Sequence, residues 1–249
     1  MKQALRIISV IAISFLMAGT ALAADRYVSV AGSNLQDGSI GSPWQTIQYA
    51  VSNSTANDNI YVSAGTYNEN VTIATAVNLI GEDKSTTFIM GTGSHRVVSI
   101  NNVSSPMRVS GFTINAVNCT TSRRGLQAAS SSNVTIEDNN IIYYGDIGVW
   151  TLSNNIIRNN TIHCADASGS TFGNIYVSGS NNTIENNTLT GFTSYGVYCY
   201  GGSTPTNQYN VIKKNSITAN MATGSGYGVY LYNSGGNTIG GASAGDGNN

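Results

Sequence analysis

Charge is scarce in this sequence of 249 residues: only 9% is Asp, Glu, Lys or Arg, against about a quarter in an average soluble chain. With 11 basic and 12 acidic residues diluted along the whole length, there is no basic stripe to follow a nucleic-acid backbone. Proline is rare at three, yet Ile, Val and 14 Tyr recur throughout, which excludes the composition of a disordered chain. Leu is nearly absent beyond residue 23, so a leucine-rich repeat is excluded, and no segment shows the 3.6-residue apolar period of a helical repeat. Cysteine numbers three, Cys119, Cys164 and Cys199, which allows at most one disulfide and favours burial as small apolar groups. What fills the gap left by charge is Asn, Ser and Thr, roughly a third of the residues.

The first 23 residues read as a signal peptide. Lys2 and Arg6 precede an apolar stretch from Ile7 to Met17 that is too short to span a bilayer, and Ala21-Leu22-Ala23 is a small-x-small cleavage site. Cleavage after Ala23 would release an exported chain that begins at Ala24. No later stretch is apolar enough for a membrane helix, so membrane insertion after cleavage is not expected. The expected location is secreted, periplasmic or at the cell surface.

From residue 24 to 249 one phrase recurs: aliphatic, two polar residues, Asn, polar, aliphatic. It stands at Ile136 to Ile141, Ile157 to Ile162, Ile184 to Leu189 and Ile212 to Ile217, placing Asn139, Asn160, Asn187 and Asn215 at one equivalent position. Val109 to Ile114 fits the frame with Phe112 in the Asn slot, and Asn237-Thr238-Ile239 opens another copy. The offsets are 27, 21, 27, 28 and 27 residues, a fixed core with loops of unequal length, which is the mark of a solenoid. Short alternating strands precede each phrase: Leu126-Gln127-Ala128, Val149-Trp150-Thr151, Ile175-Tyr176-Val177, Val197-Tyr198-Cys199 and Val229-Tyr230-Leu231. In a strand the first and third residues share a face, so the aliphatic ones point inward and the middle ones outward. The expected fold is all-β, a right-handed single-stranded parallel β-helix, with the Asn amides pairing stranded backbone groups at a tight bend. Ser42, Pro43 and Gln45 predict a capping box for a short N-terminal helix whose Trp44, Ile47 and Val51 close the first coil. The chain stops at Gly245-Asp246-Gly247-Asn248-Asn249, inside a repeat, and is expected to be truncated at the C-terminus.

The run GSPWQTIQYAV (Gly41 to Val51), then DNIYVSAGTYNENVTI (Asp58 to Ile73) and NLIGED (Asn78 to Asp83), resembles the start of the secreted pectin-lyase-like β-helix proteins. The Asn phrases are similar to the parallel β-helix repeats of that superfamily and of NosD-like periplasmic proteins. This resemblance implies a substrate groove along the outside of one parallel sheet. The outward positions of the alternating strands are then Gln127, Trp150, Tyr176, Tyr198 and Tyr230, with Tyr200 and Tyr232 beside them. Trp150, Tyr176, Tyr198 and Tyr230 are the candidate substrate-binding residues, since sugar rings pack their C–H faces on aromatic surfaces; stacked rings that merely stabilise neighbouring strands are the competing reading.

Polysaccharide is the expected partner, and a monomer the expected state. A lyase of the superfamily would use Ca²⁺ held by Asp or Glu, a cofactor implied by resemblance only, and a hydrolase would need paired carboxylates. The outward positions hold neither, so catalytic residues stay unassigned; Arg124, Asp146 and His163 come first if there is activity. His163, Cys164 and Asp166 carry metal-ligand types in one loop without the spacing of a site, and no metal is assigned. His95 is expected on a solvated turn. Two other classes stay open: a non-catalytic, adhesin-like surface module and a NosD-like periplasmic accessory protein.

Overall fold

The computed structural model describes residues 22–93, 96–120, 123–166, 172–220 and 226–249; most of the proposed signal peptide and His95 lie outside the described residues. The repeat builds three parallel sheets that follow one another around each coil. The phrase-opening aliphatics lie in a nine-stranded first sheet, from Asp25–Val28 through Val134–Glu137, Ile156–Arg158 and Thr183–Glu185 to Thr238–Ile239. The phrase-closing aliphatics lie in a seven-stranded second sheet that includes Asn140–Tyr143, Thr161–Cys164 and Thr188–Thr190. The alternating strands form a seven-stranded third sheet, among them Leu126–Ala128, Ile147–Thr151, Gly173–Val177, Tyr195–Tyr200 and Tyr227–Tyr232. Each strand pairs with its equivalent one coil away, so this is a parallel β-helix, as the repeat predicts.

Register is the one read from the phrases. Val109, Ile136, Ile157, Ile184 and Ile212 stack in the first sheet, and Val98, Leu126, Val149, Ile175 and Val197 in the third, all fully buried. Glycine opens the third-sheet strands because the coils meet closely there: a Cβ on Gly148 would lie 2.5 Å from the Asn174 carbonyl oxygen and 2.5 Å from Ile162 Cγ2. On the outer face of the first sheet, Glu137, Arg158, Glu185 and Lys213 are in register and alternate in sign. Glu137, nearly buried, accepts from Arg158 at 2.6 Å and from Arg108 at 3.3 Å, which ties three coils together.

The corner between first and second sheets carries the Asn ladder. Asn187 shows its full use: the Oδ1 atom accepts the Asn160 N–H at 3.0 Å and its Nδ2 at 3.1 Å, while its own Nδ2 donates to the Ile157 carbonyl at 2.9 Å and to Asn215 Oδ1 at 3.0 Å. Asn139, Asn160 and Asn215 repeat the pattern, the ladder ends on Asn248, and at its other end the Phe112 N–H donates to Asn139 Oδ1. A second ladder, not anticipated from the phrases, runs down the corner between third and first sheets through Asn155, Asn182, Asn210 and Asn237. It too ends on an apolar residue, Val134, whose N–H donates to Asn155 Oδ1 at 2.9 Å. Except at Asn248, the residue before each ladder position has positive φ: Asp138, Asn159, Asn186 and Lys214 at one corner, Asn133, Asn154, Asn181 and Tyr209 at the other. That turn swings the next side chain inward, and Asn tolerates it best after Gly, which explains the Asn-Asn pairs in the sequence.

The N-terminal cover differs from the expected capping box. The helix, α1, spans Ile47–Ser52, and its N-cap is Thr46, which accepts the Tyr49 N–H. Ser42, Pro43 and Gln45 precede it; the Glu69 carboxylate, from a later strand connection, accepts the Ile47 and Gln48 N–H groups at 2.9 and 2.8 Å instead. A tertiary partner thus takes the place of a local one. The covering face is as predicted, with Trp44, Ile47 and Val51 buried.

Asn187→Ala removes an acceptor and two donors from a dry corner, so it should destabilise by roughly 1–3 kcal/mol, while Ala at exposed Asn118 should cost under about 0.5 kcal/mol. Denaturant melts of both check this, and equal midpoints would contradict the ladder. Tyr209, bulky and exposed with φ of 52°, is strained, so Tyr209→Asn should raise stability by up to about 1 kcal/mol in the same assay.

Candidate functional site

Alternation in the third sheet turns one residue of each coil outward, and the observed register puts Gln127, Trp150, Tyr176, Tyr198 and Tyr230 in a single column. Tyr200 and Tyr232 stack beside it at 5.5 Å. Sequence reasoning missed a third column: Tyr195 pairs with Tyr227, from the repeated Tyr-Gly-Val-Tyr of the last two strands, and Phe172 meets Tyr176 at 5.2 Å. The repeated tetrapeptide was the available signal.

The rings touch one another. Trp150 to Tyr176, Tyr176 to Tyr198 and Tyr198 to Tyr230 have centroid distances of 5.5, 5.3 and 5.4 Å, the first two edge to face. Tyr176, enclosed by Phe172, Tyr198 and Tyr200, is only 9% exposed, whereas Tyr232 is 41% exposed and Tyr227 55%. The four predicted residues are therefore brought together, but Tyr176 is the packed centre of the patch rather than a free platform. Beside it lies an open groove of about 530 Å³ with Trp150, Tyr176 and Tyr200 as its apolar side and Ser178, Ser180, Thr206 and Gln208 as its polar side. Both sides are braced: Trp150 Nε1 donates to Ser178 Oγ at 2.9 Å, and Gln208 Nε2 donates to the Tyr200 carbonyl at 2.9 Å.

At the N-terminal end of the column Arg124 is fully engaged. It donates to Asp146 at 2.6 Å and to Gln127 at 3.2 Å, and its guanidinium lies 4.9 Å from the Trp150 ring centre, where it holds the indole in place. His163 is elsewhere, exposed on the second sheet with Nδ1 2.9 Å from Thr190 Oγ1. Arg124, Asp146 and His163 do not converge. Nor do His163 and Cys164, which as strand neighbours point to opposite faces, the thiol buried. Among the described residues no three His, Cys, Asp or Glu side chains could hold a metal. The residues do not fit the Ca²⁺ that the resemblance implies: the outward column lacks carboxylates, and Asp146 is spent on Arg124. Cys119, Cys164 and Cys199 are all buried and free, and burial pushes the Cys199 thiol up to about 12.

Fold and face together define a parallel β-helix solenoid with an aromatic outer sheet. The chain belongs to the family of right-handed beta helix regions, whose description matches residues 96–246. Among solved structures it is similar to a pectin methylesterase from carrot, with a TM-score of 0.62 and 16% identity over 85% of this chain and 71% of that one. The pectin methylesterase PemA from Erwinia chrysanthemi gives 0.59 and 16% over 80% and 67%, and a pectin methylesterase in complex with a hexasaccharide gives 0.54 and 16% over the same shares. At this identity the likeness is one of fold. No curated protein matches in sequence.

Burial, followed by the neighbouring phenols of Tyr176, Tyr195, Tyr230 and Tyr200, pushes Tyr198 up to about 12, and burial raises Tyr176 and Tyr195 as well. These phenols stay neutral in the folded chain at pH values where an unfolded chain, with phenols near 10, ionises. The stability that Tyr198 contributes is complete below pH 10 and is lost as pH rises toward 12. Titration followed at the phenolate absorbance should show a late-ionising group that Tyr198→Phe reduces by one.

Proposed function

We propose that this is an exported protein that binds extracellular or cell-wall polysaccharide along the outer face of its third sheet. The observation that carries this reading is the groove: aromatic faces on one side and the neutral hydroxyls of Ser178, Ser180 and Thr206 on the other, along successive coils spaced about 4.8 Å apart. A saccharide has the same two-sided character, with apolar C–H faces and a rim of hydroxyls. An aromatic patch this extended on a surface poor in charge is also a feature that calls for a partner. The hexasaccharide held by one of the similar structures lends support by analogy of fold. Binding, rather than catalysis, is the activity proposed, because the carboxylate at the N-terminal end of the column, Asp146, is held by Arg124.

A second reading has its own observation. Trp150 and Tyr198 meet Tyr176 edge to face and help to bury it, as a purely structural stack would. Soluble neutral and acidic glycans, added while Trp150 emission is followed, separate the two. Binding should quench the indole, and Tyr200→Ala combined with Tyr232→Ala should weaken it about tenfold or more, the low end for lost stacking contacts. Melting should fall less than in Tyr176→Ala, because Tyr232 is exposed and Tyr200 only half-buried, whereas Tyr176 is the packed centre of the patch. A glycan array without a ligand, together with a double mutant that is merely less stable, would leave the face a structural stack.

A further inference from the structure

The chain first engages the fold at Ala24. Leu22 and Ala23 are exposed, whereas the Ala24 carbonyl accepts the Asn59 N–H at 2.9 Å, its N–H donates to Asp58 Oδ1 at 2.8 Å, and the first strand begins at Asp25. Asp58 is 1% exposed. Its Oδ2 accepts the Thr55 N–H at 2.9 Å and lies 3.2 Å from Thr55 Oγ1. Burial disfavours its charge, but the hydrogen bonds from Ala24 and Thr55 and the field of Arg26 more than offset this, so the carboxyl sits below its ordinary value. An ionised, buried carboxylate therefore gives one oxygen to Thr55 and aims the other at the Ala24 nitrogen. That nitrogen is the one the small-x-small rule would make the new N-terminus.

We propose that removal of the signal peptide after Ala23 converts the Ala24 amide into an α-ammonium that forms a salt bridge with Asp58, so that processing itself fastens the first coil. The step is a hydrolysis. Water cleaves the Ala23–Ala24 peptide bond, Ala23 leaves as a carboxylate, and the Ala24 nitrogen takes up protons to become –NH₃⁺. The inference rests on the export reading above, and on Ala23 as the cleavage point.

The energetic case is favourable for a specific reason. Buried ion pairs usually suffer from desolvation of both partners. Here Asp58 is already buried and ionised, and Ala24 is half-exposed, so the new charge keeps contact with water while it gains a partner at hydrogen-bond distance. Other charges nearby are few. Arg26 acts on Asp58 from the first strand, and the Asp25 carboxylate on the same strand accepts from Asn59 Nδ2 at 2.9 Å. The residues that bond to the adjoining backbone, Asn78 and Ala76, are neutral. An ordinary α-amine titrates near 8, and the pair raises it. Its contribution is thus complete below about pH 8 and lost as pH rises through the raised folded value; at the acid end it is lost as Asp58 protonates, below its ordinary 3.8.

The test compares the chain that begins at Ala24 with one that retains Ala23 and a preceding Gly, each with Asp58 and with Asp58→Asn. At pH 6.5 the extension should lower the melting temperature by about 2–4 °C with Asp58 present and leave it unchanged in the Asp58→Asn background. The difference should vanish near pH 10.5. Independently of variants that fail to fold, ¹³C-methylation of the α-amine in the Ala24 chain should report a pKa clearly above 8. An ordinary amine pKa, or melts that ignore the extension at pH 6.5, would overturn the salt bridge. Mass spectrometry of exported material with a different N-terminus would overturn the cleavage point, and the melts on the defined chains would still judge the pairing.

Discussion

From Phe112 onward the coils of this protein depend on one exchange, the side-chain amide of an inward Asn that binds the backbone of its own corner and of the next. A β-helix must bend its chain sharply, and each bend leaves N–H and C=O groups pointing into a region that water cannot enter. Asn resolves this because its amide carries an acceptor and two donors within the reach of a single short side chain. The left-handed residue before it is part of the same device, since it aims the amide inward. Aliphatic stacks then fill the space that the corners enclose, and most strands need only three to five residues because the corners, more than strand length, fix where each coil turns.

The parts of this design that could be read from sequence are those with constant spacing. Asn139, Asn160, Asn187 and Asn215 lie three residues after an aliphatic residue and two before the next, so they stand out. The second ladder was equally legible and was missed: Asn155, Asn182, Asn210 and Asn237 each stand two residues before the aliphatic that opens a phrase, a constant spacing that lies just outside the six residues of the phrase itself. The helix cap was misplaced for another reason: Glu69 reaches α1 through space, from beyond the following strands, and no local pattern encodes it. For the candidate site, period-two alternation was enough to align Trp150, Tyr176, Tyr198 and Tyr230. How deeply Tyr176 is enclosed depends on Tyr200, the end of the neighbouring strand, and on Phe172, which precedes its own strand and which no alternation marks.

Charge is used sparingly and, where it occurs, mostly for register. The Glu137, Arg158, Glu185 and Lys213 column joins successive coils of the first sheet, and Arg124 is committed to Asp146, Gln127 and the Trp150 ring. A sheet slipped by one residue would oppose these groups to the wrong partners and turn the aliphatic stacks outward. With its cations so occupied, the aromatic face presents a neutral surface of phenols, hydroxyls and amides.

The spacing between successive ladder residues at one corner varies from 21 to 33 while the amide contacts hardly change. Each coil meets only its two neighbours, through the same few groups. The molecule can therefore grow or shrink by duplication or deletion of a whole turn at the level of the gene, with old and new surfaces already complementary, and can accept a new loop at a corner without repacking its interior. A globular core, in which every side chain answers to many others, offers no such joint.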